Sequence, residues 1–153
     1  MAPVDASTVT SFSTTTSISA PPARVWAVLS QVTQWPGWTP TVESVTPVDG
    51  QRGDAPAVGR SYRVVQPKLR PATYTITSLE PGKAFTWEAR QPGLRVIAGH
   101  RVEAEGDGSR VILTLAFEGW LAPLVWPLVR RIACDYLEQE ARSLKARVES
   151  MGT

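Results

Sequence analysis

The feature that most constrains this sequence is one long stretch near its C-terminus, from Leu121 to Val148. In the second half of this stretch, apolar residues recur at offsets of four, three and four, at Leu137, Ala141, Leu144 and Val148. That spacing lines one face of an α-helix. In the first half, apolar residues cover most of the circumference, which predicts that other parts of the chain wrap around the helix.

Two prolines leave two possible starts for this helix. Proline suits the first turn of a helix and damages the interior, because it lacks the N–H that bonds to the preceding turn. Either the helix begins near Trp126 with Pro127 at its first position, or it begins at Ala122 and kinks at Pro127.

The remaining chain has the composition of one folded domain. Its 153 residues can bury a core, and 42% hydrophobic against 20% charged residues is not the balance of a disordered chain. We predict a single domain over residues 1–153, with residues 1–7 as a loose tail. The formal net charge is only +2 and no basic run exceeds Arg130-Arg131, so we expect no nucleic-acid partner.

Composition also bears on metal chemistry and location. The single cysteine, Cys134, excludes an internal disulfide and a cysteine-based metal cluster, and one histidine cannot build a zinc site. We therefore expect no metal and no cofactor. No run of about 18 apolar residues is present and the N-terminus lacks a signal-peptide pattern, so we expect a cytoplasmic protein without stable membrane insertion. An arginine-rich, lysine-poor chain suggests a GC-rich bacterial genome.

Ahead of the long helix, most of the chain alternates with period two, which is typical of strands. We predict strands at 9–19, 41–48, 60–66, 72–79, 84–90, 94–105 and 110–118. Short helical segments are expected at 23–30 and within 33–40, after the first strand. Short turns between consecutive strands favour antiparallel pairing, and a sheet with one apolar face needs one cover. The predicted fold class is therefore α+β, a curved antiparallel sheet that grips the long helix.

The same period-two pattern selects the side chains that face the interior. On the strands these are Tyr62, Val64, Tyr74, Ile76, Phe85, Trp87, Ala98, His100, Val102, Leu113, Leu115 and Phe117. From the long helix we add Leu128, Ile132 and Tyr136. In the rigid segment 33–40, Trp35 and Trp38 form either a gate at a cavity mouth or the packing of a short helix on the sheet.

Six segments, in their order along the chain, carry a resemblance to a known family. They read ISAPPARVWAVLS, WPGWTP, VGRSYRV, ITSLEPGKAFTWEA, GHRVEAEGDGSRVILTLAFEG and YLEQEARSLKARVES. Together they resemble the polyketide cyclase/dehydrase and lipid-transport superfamily, which has the START-like, helix-grip fold. The resemblance covers residues 9–149. It implies a seven-stranded sheet and a large cavity between the sheet and the C-terminal helix, with a mouth near the adjoining loops.

His100, Tyr62, Tyr74 and Arg70 are the candidate catalytic residues. His100 is either a hydrogen-bonded core histidine or a polar group, able to move a proton, inside the cavity. Burial is expected to lower its pKa unless a carboxylate pairs with it. Each tyrosine either packs in the core or offers its hydroxyl to a ligand. Arg70 is either a surface charge or the group that holds an anionic oxygen.

The other interior residues, with Trp38, are the candidate ligand-binding residues. We expect the two acidic residues Asp135 and Glu140 to be solvated on the surface of the long helix.

Three functions remain open at this stage. The first is binding of a hydrophobic or aromatic small molecule, polyketide- or lipid-like, in the cavity. The second is a polyketide cyclase or aromatase-type enzyme that uses His100 and cavity tyrosines. The third is a non-catalytic protein-interaction module, which would need a large exposed apolar patch.

Overall fold

The computed structural model describes residues 10–48 and 56–151. The expected tail at 1–7 and most of the loop expected at 49–57 lie outside the described residues. The described residues form seven strands: β1 Ser11–Ile18, β2 Ser44–Pro47, β3 Ser61–Val65, β4 Ala72–Glu80, β5 Ala84–Gln91, β6 Leu94–Glu105 and β7 Gly108–Glu118. Three helical elements accompany them: α1 Pro22–Leu29, a 3₁₀ helix Val32–Gly37 and α2 Ala122–Ser150.

The seven strands form one antiparallel sheet in the order β1-β7-β6-β5-β4-β3-β2. Because β1 and β2 occupy opposite edges, the connection between them must cross the sheet, and it contains α1 and the 3₁₀ helix. The register between β4 and β5 shifts between Ile76 and Ser78, an irregularity of the kind that bends a strand. The predicted curved antiparallel sheet around a C-terminal helix is confirmed.

The long helix α2 begins at Ala122, so the earlier of the two predicted starts is the observed one. Pro127 lies inside the helix and cannot donate to the carbonyl one turn before it. The predicted apolar stripe faces the sheet and is buried at Leu137, Ala141, Leu144 and Val148. No helix in the described part of the chain combines the length and apolarity needed to cross a membrane.

The first half of α2 is covered on one side only. Ala122 and Trp126 are buried against Leu94 and Phe117 of the sheet. Leu124 and Leu128 lie on the opposite side and are 66% and 84% exposed. The expectation that the chain wraps this half of the helix is therefore wrong, because the sheet supplies a single face for it to pack on.

Candidate functional site

A cavity of about 380 Å³ lies between the sheet and α2. Its apolar wall comes from strands β3 to β7 and from the middle of α2. The strand residues include Val64, Ala72, Leu94, Val96, Ala98, Leu115 and Phe117, and the helix contributes Val125, Val129, Ile132, Ala133 and Leu137. The period-two faces of the strands and the buried face of α2 thus meet around this cavity.

Ten of the predicted site residues line this cavity. They are Arg70, Tyr74, His100, Val64, Trp87, Ala98, Leu115, Phe117, Ile132 and Tyr136. The structure therefore brings three of the four candidate catalytic residues to one cavity, since Tyr62 is absent from its wall.

Five predicted site residues are enclosed in the packed core and do not reach the cavity. These are Tyr62, Ile76, Phe85, Val102 and Leu113. Their inward orientation was predicted correctly, but neighbouring side chains fill the space in front of them. Trp26 of α1, for example, packs edge-on against Phe85 with ring centroids 6.2 Å apart. Tyr62 similarly packs against Trp87, at 6.0 Å.

Two further predicted ligand-binding residues lie elsewhere. Leu128 points away from the cavity into solvent, since it occupies the uncovered side of α2. Trp38 is half-buried and packs on Trp35 at 5.7 Å without lining the cavity. Trp35 itself is buried, donates its indole N–H to the Leu29 carbonyl at 3.0 Å, and forms part of the cavity wall.

His100 reaches the cavity from the centre of β6 and is 4% exposed. Its ring stacks on Phe85, with centroids 4.1 Å apart and planes 12° from parallel. Nδ1 lies 3.2 Å from the Phe85 carbonyl oxygen, which can only accept, so Nδ1 carries the proton. Burial lowers the pKa of His100 to about 4, against a partial opposing effect of that hydrogen bond. The predicted lowering is confirmed, and at neutral pH Nε2 is an acceptor.

Tyr74 enters the cavity from β4, beside Trp87, an aromatic neighbour of His100. Its ring lies 5.2 Å from Trp87, and Trp87 in turn lies 5.8 Å from His100 and 5.4 Å from Trp35. Burial, helped by the nearby carboxylate of Glu140, raises the pKa of Tyr74 to about 12. The phenol is therefore protonated at neutral pH. We call Trp35, Tyr74, Trp87 and His100 the aromatic cluster.

Glu140 is the acidic site residue that the sequence analysis missed. It was expected in solvent, but it is 9% exposed and lines the cavity close to Tyr74. Burial raises its pKa to about 7, although a hydrogen bond from Thr41 acts in the opposite direction. The signal was in the helical period, because Glu140 lies three residues after Leu137 and four before Leu144 on the buried stripe. Asp135, the other acidic residue considered, is exposed as expected.

A short chain of buried hydroxyl groups, from Thr39 and Thr41, contacts the carboxyl group of Glu140. The Thr41 hydroxyl donates to Oε2 of Glu140 at 3.3 Å, and the hydroxyls of Thr39 and Thr41 lie 2.9 Å apart. Both threonines follow the 3₁₀ helix and are buried. The carboxyl group is therefore fixed in position by a segment that the sequence pattern did not assign to the site.

The loop between β3 and β4 forms the charged side of the cavity. Exposed Lys68 and Arg70 both line it, and Lys68 adopts a positive φ of 67°. The Tyr136 hydroxyl donates to the Pro67 carbonyl, which fastens this loop to α2. Gln66 donates to the Thr41 carbonyl at 3.2 Å. Two exposed cations thus line the cavity on this loop, while Glu140 and most of the aromatic cluster are buried.

The described residues contain no group of three or more His, Cys, Asp or Glu side chains arranged to hold a metal ion.

A sequence profile for polyketide cyclase / dehydrase and lipid transport proteins matches residues 9–149. The chain belongs to this family. The profile covers the whole sheet and nearly all of α2, so the cavity and its polar residues lie within the family domain. No curated protein matches the chain in sequence.

Solved structures share the fold at low sequence identity. A START superfamily protein from Mycobacterium smegmatis superposes with a TM-score of 0.74 at 18% identity, over 92% of this chain and 98% of that one. A protein of Thermus thermophilus gives 0.72 at 20% identity, over 94% and 99%. The di-domain ARO/CYC protein StfQ from the steffimycin biosynthetic pathway gives 0.68 at 13% identity, over 95% and 52%. At these identities the likeness concerns the fold.

Proposed function

We propose that this protein binds a hydrophobic, ring-bearing small molecule of the polyketide or lipid-like class in the cavity between its sheet and α2. The observation that carries the proposal is the cavity itself, with a volume of about 380 Å³ and walls made chiefly of aliphatic and aromatic side chains. Small-molecule sites typically occupy about 300–1,000 Å³ and combine apolar walls with a few placed polar groups. Membership of a family described by both cyclisation and lipid transport agrees with such a ligand.

Titration with the uncharged fluorescent probe N-phenyl-1-naphthylamine tests this function. Ala98 lines the cavity, so Ala98→Phe should fill part of the space and weaken binding of the probe by at least about tenfold. The matched control is Ala146→Phe on the exposed side of α2, which should leave the affinity unchanged. Equal affinities in the wild type and both variants would show that the probe binds outside the cavity.

A second candidate function is acid–base catalysis of the cyclase type. The observation that favours it is that His100 and Tyr74 line the same cavity and contact the same ring, Trp87. A neutral imidazole can accept a proton at Nε2, while a protonated phenol can donate a hydrogen bond to a carbonyl oxygen of a folded chain. The test is turnover of a polyketide-like substrate by the wild type and by His100→Phe. Loss of turnover in the variant, with substrate binding retained, would establish catalysis over simple binding.

A further inference from the structure

Four polar atoms of the aromatic cluster and Glu140 make no hydrogen bond within the described ranges. They are Oε1 of Glu140, Nε2 of His100, the hydroxyl of Tyr74 and Nε1 of Trp87, and all four residues line the cavity. Solvent that reaches the cavity can bond to these atoms, and a ligand that displaces it must replace those bonds. The unused bonding capacity of these atoms therefore describes what a ligand must bring.

Above pH 7, where Glu140 is ionised, two of these atoms can only accept a hydrogen bond. Nε2 of His100 carries no proton, because Nδ1 donates to the Phe85 carbonyl. An ionised Glu140 only accepts, and its Oε2 already takes the Thr41 hydroxyl. Tyr74 can both donate and accept. A hydrocarbon ligand, or one that bears only acceptors, would leave Oε1 and Nε2 dehydrated and unpaired.

Ionised Glu140 is the strongest of these acceptors, and its position is held by neighbouring residues. Thr41 holds its other oxygen, and Leu137 and Leu144, one turn away on each side, are buried. A hydrogen bond to a charged group is worth more than one between neutral groups. Discrimination between ligands should therefore depend mainly on this carboxyl group.

The charge of the cavity wall favours a hydroxyl over an ammonium group as the donor. Lys68 and Arg70 line the cavity from the β3–β4 loop, and these two like charges oppose binding of a cationic ligand. An ammonium group would also lose its hydration inside an apolar cavity, whereas a hydroxyl loses far less. The aromatic cluster would then pack against the rings of the ligand.

We propose that the ligand carries a hydroxyl group that enters the cavity and donates its hydrogen bond to Glu140. This inference rests on the proposed binding function and narrows it from any hydrophobic ring-bearing molecule to a hydroxylated one. The remaining acceptor, His100 Nε2, would take a second donor, either another ligand hydroxyl or the Tyr74 phenol once a ligand orders it.

Three probes with the same ring system test this inference: 2-naphthalenemethanol, its methyl ether and 2-naphthylmethylamine. At pH 8.5, where Glu140 is ionised, the wild type should bind the alcohol at least about tenfold more tightly than the ether, or about 1.4 kcal/mol. The amine should bind more weakly than the alcohol. Isothermal titration calorimetry measures all three affinities on the full chain.

Variants of Glu140 connect this preference to the carboxyl group. In Glu140→Leu, the ratio of the ether dissociation constant to the alcohol dissociation constant should fall to about 1. Glu140→Gln keeps the shape of the side chain and serves if the leucine variant does not fold. In Glu140→Gln, the same ratio should fall below the wild-type value. Glu138→Leu, at an exposed position of the same helix, should retain the full preference.

The contrary outcomes separate the two proposals. A wild-type ratio near 1, an unchanged ratio in both Glu140 variants, or tighter binding of the amine would overturn the hydroxyl assignment while binding in the cavity stands. Failure of all three probes and of N-phenyl-1-naphthylamine to bind would overturn the proposed function and this inference with it.

Discussion

Replacing Glu140 with glutamine should change how the stability of this protein depends on pH. Burial raises the pKa of Glu140 from its ordinary 4.5 to about 7. Between these two values, the folded protein holds a proton that the unfolded chain releases. The stability contributed by this carboxyl group is therefore complete below pH 4.5 and is lost as the pH rises through 7.

The size of the loss follows from the two pKa values. At about 1.4 kcal/mol per pH unit, the interval from 4.5 to about 7 corresponds to about 3 kcal/mol of unfolding free energy. His100 has the opposite effect. Its pKa falls from 6.5 to about 4, so its contribution is complete above pH 6.5 and is lost as the pH falls through 4. In the wild type these two effects largely cancel between pH 4.5 and 6.5.

Urea denaturation of the wild type and Glu140→Gln from pH 4.5 to 8.5 measures this effect. The unfolding free energy of the variant minus that of the wild type should rise by about 3 kcal/mol across this range, because the shared surface groups drop out of the difference. Glu138→Gln, at an exposed position, should show a constant difference. A constant difference for Glu140→Gln as well would mean that the carboxyl group is hydrated in the folded protein, and the reasoning about its burial would fail.

Three further predictions concern the packing of the chain. Leu144 is 0% exposed, so Leu144→Asp should abolish a cooperative melting transition by burying an unpaired charge, whereas Arg142→Asp on the exposed side of α2 should melt normally. In urea titrations, Leu128→Ala should change the free energy of unfolding by less than about 0.5 kcal/mol, whereas Leu137→Ala should lower it by about 2–5 kcal/mol. Similar losses in the two variants would refute the assignment of Leu128 to the exposed face and Leu137 to the buried face. His100→Phe at pH 7 should keep the fold and cost about 1 kcal/mol, because only the bond to the Phe85 carbonyl is lost; an unfolded variant by circular dichroism would contradict this.

Much of the fold follows from two periodicities in the sequence. The alternation through β5 and β6 placed Phe85, Trp87, Ala98 and His100 on the inner face, where the structure has them. The offsets of four and three in α2 placed Leu144 in the core. Both patterns are readable because each face of these elements meets only one environment, either the interior or solvent.

Residue type misled the prediction at Glu140. Its position in the helical period is that of a buried residue. Acidic residues are rarely buried, so the prediction followed the residue type and placed Glu140 in solvent. The partners that hold it in place, Thr41 and the hydroxyl of Thr39, are about 100 residues away in the sequence. The sequence of α2 alone does not predict a hydroxyl donor from the segment after the 3₁₀ helix.

The boundary between packed core and open cavity also lies beyond the reach of the sequence pattern. Tyr62 and Tyr74 pair across β3 and β4 and share a face, yet only Tyr74 lines the cavity. The difference arises from which neighbouring side chains fill the space in front of each ring. Leu128 is a similar case on the surface. It was predicted to line the cavity, but the sequence does not show whether the helix face that carries an apolar residue is covered by the rest of the chain.

Native mass spectrometry of the freshly purified protein, alone and after incubation with N-phenyl-1-naphthylamine, tests the central claim most directly. We expect the wild type to retain one small molecule per chain, either one carried through purification or the probe, and Ala98→Phe to lose it while Ala146→Phe keeps it. A wild-type protein that shows only its own mass under both conditions would contradict the claim that this cavity is a binding site.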